Sequence, residues 1–161
     1  MGFLRQVAAI LWKDVVAELR TKDIFSAMFV FELLSVLIFQ FAFDLRVENV
    51  KQVAPGVLWV AISFAGVLGL NRSFALEKDK GSMEGLLLAP MDRSAIYFGK
   101  MLGNVLFMLV MEALVIPVFI ILFNLPLYLP GVLVVVLLGT LGIAGVGTLF
   151  SAIAVNTRAR E

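Results

Sequence analysis

Residues 24–43 read Ile24-Phe-Ser-Ala-Met-Phe-Val-Phe-Glu-Leu-Leu-Ser-Val-Leu-Ile-Phe-Gln-Phe-Ala-Phe43. Glu32 is the only charged residue in this segment. At a rise of about 1.5 Å per residue, a helix of about 20 residues reaches roughly 30 Å, the thickness of the hydrocarbon core of a bilayer. The segment is therefore predicted to be a helix that spans a membrane.

Three further apolar segments are long enough to span a membrane, and they cover residues 57–76, 95–123 and 131–155. The segment 95–123 exceeds the thickness of a bilayer, so its start is expected to project into water and Pro117 to kink its outer part. Hydrophobic residues make up 61% of the 161 residues, against about half in a typical soluble domain. Residues 1–161 are therefore predicted to form one transmembrane domain, an all-α polytopic membrane helix bundle.

A further helix is predicted over residues 3–22, and its two faces differ. Its apolar residues recur at helical spacing, and they are Leu4, Val7, Ala8, Leu11, Val15 and Leu19. The charged residues Arg5, Lys13, Asp14 and Arg20 fall largely elsewhere around the helix. We predict an amphipathic helix that lies along the membrane surface without spanning it. The alternative is an ordinary helix that packs on a soluble partner.

Basic residues are distributed unequally between the two sides of the predicted bundle. Eleven of the 13 lie on one side, namely Arg5, Lys13, Arg20, Lys22, Arg72, Lys78, Lys80, Arg93, Lys100, Arg158 and Arg160. Only Arg46 and Lys51 lie on the other side. By the positive-inside rule, the N-terminus, the segment between the second and third spans and the C-terminal tail are predicted to be cytoplasmic.

Small residues form rows on two of the predicted spans. Thr140, Ala144, Thr148 and Ala152 recur every four residues on the fourth span, and Gly99 and Gly103 form a GxxxG pattern at the start of the third. Small side chains let membrane helices approach closely. The rows predict close helix packing, within the bundle or between subunits.

Composition excludes several classes of function. The chain has no Cys and no His, which removes disulfides, thiolate metal sites and histidine acid–base chemistry. A net charge of +1 gives no excess of positive charge for binding nucleic acid. Gly99 and Lys100 resemble the end of the phosphate-binding pattern GxxxxGK[ST], but Ser94 stands where its first glycine is required and Met101 where its Ser or Thr is required. The chain therefore binds no nucleotide through this pattern. We therefore predict no catalytic residues, no metal site and no directly bound cofactor.

Three ionisable residues fall within the predicted spans. Glu32 and Glu112 lie near the middles of the first and third spans, where an ionised carboxylate is costly. Each is either a proton or substrate site or a neutral, hydrogen-bonded carboxyl that holds helices together. Arg72 lies near the end of the second span, where it serves as a topology anchor, pairs with a carboxylate or contacts substrate.

The segment 77–94 between the second and third spans is unusual because a charged part is followed by an apolar part. Charged residues up to Glu84 lead into the apolar run 86–89, Pro90 ends that run, and Asp92 or Ser94 can cap the following helix. Such a segment forms a short amphipathic helix. It is either a solvated connector or a helix whose apolar face a partner protein buries.

In their order, Glu77, Gly81, Glu84, Leu86, Pro90 and Lys100 resemble a motif of ABC-2 type transporter permeases. The strings Leu68-Gly-Leu-Asn-Arg-Ser-Phe-Ala-Leu76, Glu84-Gly-Leu-Leu-Leu-Ala-Pro90 and Ser94-Ala-Ile-Tyr97 are similar to the haem exporter protein B family, whose members are permeases of cytochrome c maturation. The resemblance implies that the loop 77–94, with Arg93 and Lys100, contacts and couples to a separate cytoplasmic ABC ATPase.

The resemblance also implies partners, location and ligand. It implies a multi-pass protein of the bacterial inner membrane with a cytoplasmic N-terminus, forming a homodimer together with other cytochrome c maturation membrane subunits. Haem is then a transported or handled ligand, either exported or released on a chaperone. The family has more spans than the four found here, so the chain is expected to be truncated at its C-terminal end.

Three alternatives stay open at this stage. One is an ABC-2 permease that exports a drug, lipid or polysaccharide. Another is a proton-coupled secondary transporter that uses Glu32 and Glu112 and needs no ATPase. The third is a purely structural membrane subunit.

Overall fold

The structure, a computed structural model, describes residues 2–44, 50–79, 85, 88–125 and 130–158. In these residues there are five long helices and no strand. The helices are α1 (Phe3–Thr21), α2 (Asp23–Asp44), α3 (Val50–Asp79), α4 (Arg93–Phe123) and α5 (Pro130–Arg158). The predicted all-α polytopic bundle is confirmed.

Four of these helices are long and apolar enough to cross a membrane, over Asp23–Phe43, Gln52–Ser73, Arg93–Phe123 and Gly131–Ala154. Their outer surfaces carry large apolar side chains, among them Phe41 and Leu138, which water would not favour. Lipid is the solvent that suits such a surface. The protein is a multi-pass membrane protein.

The second spanning helix begins earlier than the sequence suggested. The apolar segment of the sequence starts at residue 57, directly after Pro55 and Gly56, whereas α3 begins at Val50 and contains Pro55. Pro55 lies in the second turn, where its ring removes only one helical hydrogen bond. In α4 the helix is assigned without interruption through Pro117. The kink at this residue stays a prediction.

Helix α4 is central to the packing, because it contacts each of the other four helices. Helix α2 packs mainly on α3, and α5 packs on both α3 and α4. The core between them holds fully buried apolar side chains that include Met28, Val36, Ala61, Val115 and Phe119. Helix α1 packs on the first part of α4, and we call this end of the molecule the α1 end.

Small residues bring the helices together, as the sequence predicted. Thr140, Ala144 and Thr148 are fully buried on α5. A Cβ atom at Gly139 would overlap the ring of Trp59, so no larger residue fits there while α3 and α5 stay this close. The predicted close packing is confirmed and occurs within the bundle.

Candidate functional site

Helix α1 approaches α4 closely at Gly99. A Cβ atom placed on Gly99 would lie 2.7 Å from Ile10 Cβ and 3.2 Å from the carbonyl oxygen of Val7. One turn later, a Cβ atom on Gly103 would lie 3.7 Å from both Leu11 Cδ1 and Asp14 Oδ2, which is ordinary contact. The GxxxG pattern of α4 therefore serves the packing of α1, with Gly99 as the position that tolerates no side chain.

A buried ion pair lies beside this contact. Lys100 Nζ is 3.0 Å from Asp14 Oδ2, and Lys13 Nζ is 3.1 Å from Asp14 Oδ1. The side chains of Lys100 and Asp14 are only 2% and 9% exposed, whereas that of Lys13 is 43% exposed. Removing one partner of a buried pair leaves an uncompensated charge, at a typical cost of about 3–5 kcal/mol. We call Val7, Ile10, Asp14, Gly99 and Lys100 the α1–α4 junction.

The start of α1 also holds the segment that leads into α4. Gln6 Oε1 accepts a hydrogen bond of 3.3 Å from the backbone N–H of Asp92. Asp92 in turn caps α4, since its Oδ1 accepts from the N–H of Ser94 at 2.9 Å. The rings of Phe3 and Phe98 meet edge to face with centroids 6.1 Å apart. Together with the α1–α4 junction, these contacts fix α1 to the first two turns of α4.

Glu18 joins the end of α1 to the start of α2. Its Oε1 accepts a hydrogen bond of 2.8 Å from the N–H of Phe25, one of the free N–H groups at the start of α2. Between the two helices, Lys22 adopts a left-handed conformation with φ of 57°. Burial raises the pKa of the Glu18 carboxyl above its usual value, and the backbone N–H groups of Phe25 and Ile24 oppose that effect.

The face of α1 that packs differs from the face that the apolar pattern marked. Its buried residues are Val7, Ile10, Asp14 and Glu18, whereas Leu4, Trp12 and Leu19 are exposed. Of the predicted apolar stripe, Leu4, Ala8 and Leu19 are exposed, as an interfacial helix needs in order to contact lipid, whereas Leu11 and Val15 are half-buried and Val7 is buried. The two acidic residues lie beside that stripe because they have partners on α4 and α2.

A second polar group lies inside the spans, where Glu32 of α2, Glu112 of α4 and Thr140 of α5 meet. Their exposed fractions are 1%, 3% and 0%. Glu112 Oε1 and Thr140 Oγ1 share a hydrogen bond, and Glu32 is near enough to Glu112 for their charges to interact. Glu32 Oε1 and Glu112 Oε2 have no hydrogen-bond partner within the described ranges. We call these three residues the carboxyl pair and its threonine.

Comparison with known families decides the family of the chain. The CcmB protein family matches residues 5–161. This range includes the α1–α4 junction, the carboxyl pair and its threonine, and all five helices except the first two residues of α1.

The chain belongs to the CcmB protein family.

Curated relatives of this CcmB family member carry the name Heme exporter protein B. The protein of Rhodobacter capsulatus is 30% identical over 153 residues, which cover 93% of this chain and 69% of that protein. The protein of Paracoccus denitrificans is 30% identical over 152 residues with the same coverage. That of Pseudomonas aeruginosa is 28% identical over 130 residues, 80% of this chain and 58% of that protein. No solved structure matches the chain.

The coupling residues expected from the family resemblance fall into three groups. Gly81, Glu84 and Leu86 lie outside the described residues, and for Glu77 the structure describes only its backbone, in α3. Pro90 and Arg93 are exposed just before and at the start of α4. Lys100 faces inward onto α1. Of this set, the structure therefore leaves Pro90 and Arg93 accessible, and it places Lys100 in the α1–α4 junction.

Arg72 does not join the two intramembrane carboxyls. Its guanidinium lies 3.9 Å from Asp23 at the α1 end, and the two side chains are 52% and 42% exposed. Of the readings open from the sequence, pairing with a carboxylate near the interface is the one that this geometry fits. An exposed pair at that distance contributes little to stability.

Sequence reasoning missed Asp14 as a partner of Lys100, and it missed Thr140 as a partner of Glu112. A signal was present for the first, because Asp14 and Glu18 are four residues apart and so share one side of α1. Thr140 was assigned only to a row of small residues. A single sequence does not show which residue on another helix faces a given carboxyl.

Few groups in the chain could ligate a metal or haem iron. The described residues contain no cluster of three or more His, Cys, Asp or Glu side chains. The sequence leaves Met and Tyr as axial haem ligands. Tyr97 uses its hydroxyl to donate to the carbonyl of Gly145 at 3.0 Å.

Proposed function

We propose that this CcmB family member is the transmembrane permease subunit of an ABC transporter that acts in haem export or haem-chaperone release during cytochrome c maturation. The observation that carries the proposal is the family match over residues 5–161, together with relatives named Heme exporter protein B. A permease subunit is not itself an enzyme. Haem is the handled ligand, and release on a chaperone requires no haem ligand within the chain.

ATP hydrolysis is assigned to a separate cytoplasmic ATPase subunit. The N-terminus and the segment 77–94 face the cytoplasm of a bacterial inner membrane in this proposal, which rests on the uneven distribution of basic residues. The α1 end is then the end that the ATPase can reach. The proposed assembly is a homodimer of the permease with further membrane subunits of cytochrome c maturation.

The α1–α4 junction gives the ATPase a mechanical route into the spans. Nucleotide-driven closure of the ATPase would press on segment 77–94 and on α1. Because α1 is fixed to α4 by a buried ion pair and a helix contact that excludes any side chain at Gly99, the two helices move as one body. Since α4 contacts every other helix, its displacement reaches the whole bundle.

Co-purification with the ATPase tests the proposal. Leu86→Ala and Glu84→Gln are expected to weaken the complex and lower ATP turnover, because these residues supply the apolar and acidic contacts of the loop. Leu138→Ala is the matched control, since Leu138 is an exposed leucine of the spanning helix α5 and does not belong to the loop. Unchanged binding and turnover in the Leu86 and Glu84 variants would remove the loop from the coupling interface.

The burial of Glu32 and Glu112 supports a second candidate, a proton-coupled secondary transporter. Proton-coupled uptake by liposomes that contain only this chain would favour it, whereas strict dependence on the ATPase would exclude it. A permease for a drug, lipid or polysaccharide shares the architecture. It is distinguished by a deletion strain that still makes normal amounts of holo-cytochrome c.

A further inference from the structure

The carboxyl pair and its threonine lie at a depth of the bundle where no other charge is available. Within the spans, residues 24–43, 52–71, 101–123 and 131–155 contain no basic residue, and Glu32 and Glu112 are their only acidic residues. Lys100 is about 12 residues, or roughly 18 Å of helix, before Glu112 and is paired with Asp14. Arg72 is at the α1 end beside Asp23. Among the residues that the structure describes, neither carboxyl therefore has a basic side chain beside it.

Two ionised carboxylates are unfavourable in this environment. Glu32 and Glu112 are almost wholly buried among apolar side chains, and an unpaired charge in such surroundings shifts to its neutral form. The two carboxyls also interact with each other, so that ionising one opposes ionisation of the other. Protons are the simplest means of neutralising them.

The oxygens around Thr140 also favour a neutral acid. The Thr140 hydroxyl lies 3.0 Å from the carbonyl oxygen of Val136 and is hydrogen-bonded to Glu112 Oε1, and it has one proton to donate to one of them. Glu32 Oε1 and Glu112 Oε2 are buried and have no donor within the described residues. An ionised oxygen without a donor costs more in such surroundings than the oxygen of a neutral carboxyl.

We propose that Glu32 and Glu112 form an intramembrane proton-binding site, in which the two carboxyls together hold at least one proton at neutral pH. The groups that face it are the partner carboxyl from α2 or α4 and the Thr140 hydroxyl from α5, while residues 52–71 of α3 contain no titratable side chain. Because the carboxyls belong to α2 and α4, loss of the proton places like charges across the contact between these helices. The site is independent of the proposed role in haem handling.

Infrared spectroscopy of the purified full chain in lipid nanodiscs tests the proposal. A protonated carboxyl has a carbonyl stretch that is separate from the carboxylate bands and shifts in D2O. At pH 7 the wild-type chain is expected to show this band. Glu18→Gln serves as control, because burial also raises the pKa of the Glu18 carboxyl. The part of the band that survives in this control is assigned to the carboxyl pair.

Glutamine substitutions assign the band further. Glu32→Gln and Glu112→Gln are each expected to reduce the surviving band, and the double variant to abolish it. Absence of the band in the wild-type chain, or a band that both single variants leave intact, would overturn the proposal. Absence of the band in the wild-type chain contradicts the proposal even if a variant does not fold.

Discussion

The α1–α4 junction and the carboxyl pair are both buried and polar, yet they neutralise charge in different ways. At the junction, Asp14 meets Lys100 at 3.0 Å and Lys13 at 3.1 Å. In the middle of the bundle, Glu112 is hydrogen-bonded to Thr140, and Glu32 is near enough to Glu112 for their charges to interact. The first site keeps its charges because a counter-ion is supplied by the neighbouring helix. Among the described residues the second site has no counter-ion, and protons neutralise its carboxyls instead.

The difference follows from position along the helices. Near the ends of the spans, long basic side chains can reach the interface and still pair with acids. In the middle of the bilayer a basic residue would itself be costly, and the sequence places none there. The two sites therefore predict unequal losses of stability when an acidic side chain is replaced by its neutral amide.

The largest effect is expected at the ion pair. Asp14→Asn removes the carboxylate that lies 3.0 Å from the buried Lys100 ammonium and is expected to lower the free energy of unfolding by about 3–5 kcal/mol. Denaturant titration of the purified chain in detergent micelles measures this. The double variant Asp14→Leu/Lys100→Leu is expected to recover much of the loss, because both charges of the buried pair are gone and Lys13 is 43% exposed to solvent. A double variant as unstable as the single one would mean that the charges do not explain the effect.

A smaller loss is expected at Gly99, where α1 lies close against α4. Gly99→Ala forces a methyl group against Ile10, and overpacking of this kind costs about 1–3 kcal/mol. Gly142→Ala is the control, since a Cβ atom there meets nothing within 4 Å and alanine favours the helix. Thermal unfolding of both variants in the same detergent measures the difference. Equal stability of the two variants would contradict the close contact at Gly99.

At the carboxyl pair, removal of the acid is expected to change stability little. Glu32→Gln keeps the shape of the side chain and resembles the neutral acid, so the free energy of unfolding should change by about 1 kcal/mol or less. The same denaturant titration as for Asp14→Asn makes the comparison direct. A loss as large as that of Asp14→Asn would indicate that Glu32 is ionised and paired in the native state.

The smallest effect is expected at Arg72. Its pair with Asp23 is long and half exposed, and such pairs contribute about 0–1 kcal/mol. Arg72→Gln should therefore unfold almost as the wild type does in detergent. The topology of the variant in the membrane is the more informative measurement. It is expected to be unchanged, because the other basic residues of the α1 end still favour the same orientation. An inverted topology would make Arg72 the dominant anchor.

Much of the fold could be predicted from the sequence, since membrane spans are long, apolar and nearly continuous. Residues 24–43 and 131–155 match α2 and α5 within a few residues at the spanning ends. The start of α3 was harder to predict from the sequence, because Pro55 and Gly56 are typical of a helix start yet lie inside the helix. A proline in the second turn removes one helical hydrogen bond. Burial of the apolar turns that follow it outweighs this loss, and helix propensity at single residues does not include that contribution.

The candidate site was predicted only in part. Burial of Glu32 and Glu112 followed from their positions in apolar spans, but Thr140 as a partner depends on how α5 is rotated against α4. Lys100 was assigned by resemblance to contact with an ATPase, and its pairing with Asp14 depends on how α1 docks. Helix rotation and docking are set by packing between distant segments, which the periodicity of one segment does not encode.

The central claim is that the chain is a permease subunit that handles haem through a partner ATPase. The most direct test is ATP hydrolysis by the purified complex of this chain with its ATPase, measured with different ligands. Stimulation by haem or by a haem-loaded chaperone, and not by drugs, lipids or polysaccharides, is the predicted result. Stimulation by one of those other ligands alone, or failure of any ATPase to co-purify, would contradict the claim.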